Sequence, residues 1–112
     1  MGTQGRRLKK LIVTADDFGI SKQVNDAVES AHLNGILTTA SLMVGEQFAN
    51  DAVQRAKKMP NLGIGLHIAL SRARPLSPLS AIPDLIDKDG VLRSNLIGAG
   101  FRFFFLPHVR RQ

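Results

Sequence analysis

Three short strand-like stretches alternating with two amphipathic helical faces constrain the fold of this chain more than any other feature. Leu11-Ile12-Val13 opens an apolar run that gives way to Asp16-Asp17-Phe18-Gly19, which reads as a buried strand ending in a loop. Thr38 to Val44 mixes alternation with β-branched residues and is the second strand. Leu62 to Leu66, interrupted by Gly63 and Gly65, is a short third strand that delivers His67 at its end. Between the first two, Val24, Ala27, Val28 and Ala31 share one helical face behind Ser21, a suitable N-cap. That helix should run to about Asn34, with Gly35 as a left-handed terminator. Phe48, Ala49, Ala52, Val53 and Ala56 form the second face, Lys57-Lys58 suit the helix dipole at its end, and Pro60 closes it.

The order β-α-β-α-β with short connections predicts an α/β fold with a parallel sheet and right-handed crossovers. The length of 112 residues predicts a single domain. Ligands of such sheets gather at the carboxyl ends of the strands, so Asp16, Asp17 and His67 should meet on one rim although His67 lies fifty residues further along the chain. Side chains alternate along a strand, so the two carboxylates should leave it in different directions and can take different tasks. A plain Asp-Asp pair also caps helices and makes turns, and a lone histidine at a strand end is often structural. With no cysteine in the chain, any metal must be held by oxygen and imidazole. Two carboxylates and one imidazole suit a hard or borderline divalent cation, Mg or Zn, held by Asp and His, with the carboxylate that is not a ligand free to take a proton.

Charge does not redirect this reading. The formal net charge is +6, but seven of the fifteen Lys and Arg (Arg6, Arg7, Lys9, Lys10, Arg102, Arg110, Arg111) sit near the ends, and the other eight face nine acidic residues. Residues 1–10 form a basic tail, and without Tyr or Trp to stack on bases no nucleic-acid site is expected. The Phe-rich end could add weak contact with an anionic lipid surface. No apolar run reaches the roughly 20 residues of a membrane span, and no signal core follows the basic start, so the expected location is cytoplasmic.

Beyond His67, Arg74-Pro75-Leu76-Ser77-Pro78-Leu79 reads as a loop able to overhang the rim, and Asp87-Lys88-Asp89-Gly90 as a turn. Phe101, Phe103, Phe104 and Phe105 then either pack on the small core or await another surface, such as a second subunit.

Ala15-Asp16-Asp17-Phe18-Gly19, Val24-Asn25, Ala31-His32, Gly35-Ile36, Ala40-Ser41-Leu42-Met43 and Gly63-Ile64-Gly65-Leu66-His67 closely resemble, in order and spacing, the opening half of the YdjC-like carbohydrate deacetylases. Arg74-Pro75-Leu76, Ile82-Pro83-Asp84-Leu85 and Phe101 to Pro107 look like the branch associated with hopanoid biosynthesis. The resemblance implies a distorted (β/α) barrel, of which this chain would be the opening part. It implies removal of an N-acetyl group from an amino sugar, in this branch on a lipid-linked glycoside, with a divalent metal held by Asp-His-His. By motif, Asp17 and His67 would be metal ligands and Asp16 the general base. The family's third ligand is a histidine expected beyond Gln112, and where family members carry an acidic residue and Gly this chain has Arg72-Ala73. His108, in a basic context, does not match that third ligand, and His32, near a helix end, reads as packed or capping. The expectation is therefore an incomplete deacetylase domain with weak or no activity; the rival is a non-catalytic half that works as a homo-oligomer or with a partner.

Overall fold

The computed structural model describes residues 9–112; residues 1–8, most of the basic tail, lie outside the described residues. The order is β1 (Thr14–Phe18), α1 (Lys22–Asn34), β2 (Thr39–Leu42), α2 (Ala49–Ala56), β3 (Gly63–Leu66) and α3 (Leu96–Phe105), with 3-10 turns at Leu79–Ala81 and Val109–Arg111. The three strands form one parallel sheet in the order β1-β2-β3. The α/β class and the parallel βαβαβ unit are those expected. The second strand is shorter than expected at both ends, Thr39–Leu42, although the Thr38 N–H and carbonyl still bond to Val13 and Gly63 and its hydroxyl also bonds the Val13 backbone.

Alternation along β2 defines two faces. Ala40 and Leu42 are buried against the helices, whereas Thr39 and Ser41 turn to the open face. Phe18, Val28, Leu37, Ala52, Met59 and Leu62 complete the core on the helix side. Burying a side chain the size of Phe18, which is fully inaccessible, contributes about 1.5–3 kcal/mol. The opposite face stays open, and in β3 even Ile64 and Leu66, in register with Ala40 and Leu42, remain exposed.

The helix α1 begins where expected, with Ser21 Oγ accepting from the Val24 N–H at 3.2 Å. Its inward stripe is rotated from the expected one: Asn25 and Val28 are buried, whereas Ala27 and Ala31 are exposed. A polar residue takes a core position because its amide is fully bonded there. Gly35 is not left-handed either, with φ −130° and ψ −147°. Glycine is required for closeness instead, since a Cβ would lie 2.7 Å from the Ala31 carbonyl oxygen.

After β3 the chain runs through the proline-bearing loop and the Asp87–Gly90 turn, where Ile86 and Leu92 form an antiparallel bridge. The Phe-rich segment is helical: Asn95 caps α3 through the Gly98 N–H. The helix packs against the turn at Val109–Arg111, and Phe101, Phe104 and Phe105 stay more than half exposed, with the Phe105 ring tilted against Phe101 and edge-on to Phe104. No described helix is long and apolar enough to cross a membrane.

Candidate active site

The C-terminal rim of the sheet gathers its polar groups through one irregularity in β1. Ala15 pairs with Ala40 and Phe18 with Leu42, so β1 spends one more residue than β2 over this interval. Regular alternation from Ala15 would drive Asp17 into the apolar helix side and Phe18 out of it. The extra residue reverses this. Asp17 takes a left-handed conformation, φ 61°, and stays exposed while Phe18 drops into the core. Gly19 follows at φ +103°, and a side chain there would press on the Ala49 and Met43 backbone.

Asp16 stays on the open face, where Ser41 Oγ donates to its Oδ1 at 2.8 Å. His67 continues the ladder, its N–H donating to the Leu42 carbonyl at 2.9 Å, and its side chain falls on the same face as Ser41. Its Nδ1 lies 3.3 Å from Ser41 Oγ, 3.3 Å from the Asp17 amide nitrogen, which donates to it, and 3.6 Å from Asp17 Oδ1. Asp16, Asp17, Ser41 and His67 thus converge from three adjacent strands.

The Asp17–His67 pair offers a test of the expected cation. A separation of 3.6 Å is too long for a hydrogen bond. A carboxylate oxygen and an imidazole on one exposed rim are the donor types a divalent ion takes, and with the Asp17 N–H on Nδ1 the ring nitrogen left for a cation is Nε2. Among the described residues no group of three His, Cys, Asp or Glu side chains could hold a metal. His108 lies elsewhere, its Nε2 3.7 Å from Asp84 Oδ2. His32 is a packed histidine, its Nδ1 2.8 Å from the Leu37 carbonyl.

Reading by residue type passed over two contributors. Ser41 bridges Asp16 and His67, and its place one strand away on the same face was the available signal. Asn25 anchors the Gly19 amide from within the core. Beside the rim, a cavity of about 290 Å³ opens between Met43, Leu66, His67 and the loop carrying Ala73 and Leu76. Glu46 accepts from the Arg74 amide and ties that loop to the sheet.

Comparison with known proteins relates the chain to a family. A model of the family described as YdjC-like protein matches residues 10–112. A carbohydrate deacetylase of Thermoanaerobacter pseudethanolicus is 42% identical over 77% of this chain and 34% of its own length. One of Brevibacillus brevis is 45% identical over 75% and 33%, and a chitooligosaccharide deacetylase of Proteus mirabilis is 43% identical over 73% and 31%. The chain spans about a third of the length of these relatives. A crystal structure from Enterococcus faecalis V583, described as a cellobiose-phosphate cleavage protein, superposes with a TM-score of 0.71 at 33% identity, over 76% of this chain and 34% of that one.

Proposed function

From the premise that the chain belongs to the YdjC-like protein family, we propose that it carries the first part of the catalytic rim of a carbohydrate deacetylase that removes an N-acetyl group from an amino sugar. The approach of Asp17 Oδ1 to His67 Nδ1, with Asp16 alongside, is the observation that carries this reading. In it, Asp17 and His67 hold a divalent cation, Mg or Zn. Such an ion, when bound, supplies Lewis acidity at the acetamide carbonyl. Asp16 is the general base: Ser41 fixes one carboxylate oxygen, and the other takes the proton of the attacking water. The left-handed turn at Asp17 keeps the two neighbouring carboxylates from doing the same job.

Finer features belong to the same reading. The sheet is the opening of a distorted barrel, and the sugar is part of a lipid-linked glycoside handled in the cytoplasm by the hopanoid-associated branch. The exposed β3 edge and the Phe101, Phe104 and Phe105 cluster support self-association. The Proteus mirabilis relative's description supports an N-acetylated oligosaccharide as the substrate class.

The test is calorimetric titration of Zn or Mg into the full chain and into Asp17→Ala, with acetate release from N-acetylglucosamine oligosaccharides measured alongside. Asp17→Ala should weaken binding at least tenfold. Equal affinity in both would remove Asp17 from the ligand set.

A further inference from the structure

We infer that Asn25 is the positioning residue of the rim: its buried side-chain amide closes a hydrogen-bonded ring that fixes the turn from which Asp17 projects. Asn25 is completely inaccessible, the one polar residue in the described core. Its Oδ1 accepts from the Gly19 N–H at 2.8 Å, and its Nδ2 donates to the Phe48 carbonyl at 3.1 Å. The Phe48 N–H in turn donates to the Gly19 carbonyl at 3.1 Å. The side-chain amide therefore acts as an inserted peptide group, pairing Gly19 with Phe48 as two strands would be paired. These partners also settle which end of the amide is oxygen.

The ring has an outer anchor. Nδ2 donates a second bond to Asp51 Oδ2 at 2.8 Å, and the same oxygen accepts from Arg55 Nε at 2.8 Å. Arg55 also reaches Asp26 and Glu29 on α1. One amide thus links the β1 turn, the start of α2 and the charged seam between the two helices. Gly19 lies two residues from Asp17, and Phe18 between them is locked by its buried ring and by the Met43 N–H on its carbonyl. Releasing Gly19 removes one of the holds on this turn, at whose start stands Asp17, with its amide and carboxylate both facing His67.

Serine or alanine could not make these three bonds, and aspartate would reverse two of them. In Asn25→Asp, a carboxylate of nearly the same shape would face the Phe48 carbonyl and the Asp51 carboxylate with no proton to donate. The inference rests on the proposed function only for what Asp17 holds, so the experiment has a metal-free arm. In the metal-free full chain, the His67 ring-nitrogen signals and the hydrogen-exchange protection of the Gly19 amide are recorded by NMR. Asn25→Asp, which keeps an acceptor for the Gly19 N–H but loses both donated bonds, should displace the His67 signals, and Asn25→Ala, which takes away that acceptor too, should also remove the Gly19 protection. Val28→Ala, a core truncation on the same helix, should leave both in place. Adding Asp51→Asn to Asn25→Asp returns a donor to the pair and should restore part of the His67 signals. With Zn as the probe, Asn25→Asp should bind about 10- to 100-fold more weakly, the range for groups that orient ligands.

Unchanged His67 signals in Asn25→Asp, or equal displacement in Val28→Ala, would overturn the inference. Should Asn25→Asp fail to fold, Asp51→Ala removes only the outer anchor and must move the His67 signals; if they stay, the inference falls. If the wild-type chain binds no Zn, the metal assignment fails while the NMR arm still decides the role of Asn25.

Discussion

Replacing Asp17 with glycine and, separately, with alanine isolates the backbone of the β1 bulge, because both variants lose the carboxylate and differ by one methyl group. At φ 61° a residue with a Cβ is held in the left-handed region, which costs about 1–2 kcal/mol. Glycine escapes that strain but gives up about 0.5–1 kcal/mol more chain entropy on folding. The difference leaves Asp17→Gly more stable than Asp17→Ala by about 0.75 kcal/mol at the midpoints of the two ranges, about 1.5 kcal/mol at most. In a regular strand the order would be reversed, so the sign alone discriminates. Equilibrium urea unfolding of the two variants, followed by far-UV circular dichroism, reads the midpoint difference at constant slope. An alanine variant as stable as the glycine variant, or more stable, would refute the bulge and with it the account of how Phe18 and Asp17 exchange sides.

Three further outcomes follow from the packing. Phe18→Ala empties a fully buried ring site and should destabilise the chain by about 3–5 kcal/mol in the same assay. Gly35→Ala places a methyl 2.7 Å from the Ala31 carbonyl oxygen and should cost about 1–3 kcal/mol, although alanine favours helices elsewhere. Asp26 and Asp51 are held below the usual carboxylate range, Asp26 chiefly by the hydrogen bond from Lys22 and Asp51 by that from Asn25. Their contribution is therefore complete above the unfolded value of about 3.9 and is lost as pH falls through the lower folded values. Thermal midpoints should fall on acidification below about pH 4, and less steeply in Asp26→Asn.

The order of elements was legible because the signals behind it are local: apolar runs, helical spacing, Ser21 as a cap and Pro60 as a stop. The convergence of Asp16, Asp17 and His67 on one rim follows from that order. The manner of convergence does not, since an inserted residue in β1 is specified by where Phe18 must pack, a tertiary condition. Hydrophobic spacing placed Ala27 and Ala31 inward, whereas hydrogen bonding places Asn25 there, and a pattern that counts only apolar residues misses a satisfied amide. Four phenylalanines in five positions left open whether they pack on the core or await another surface, and α3 keeps most of the Phe101, Phe104 and Phe105 ring surface in solvent.

The serine on the middle strand has one proton, and the shortest of its contacts, to the Asp16 carboxylate, takes it. Its oxygen stands between that carboxylate and the His67 ring, whose Nδ1 already accepts from the Asp17 amide. The middle strand therefore acts as a spacer: one small side chain sets the distance at which the two outer strands hold their polar groups.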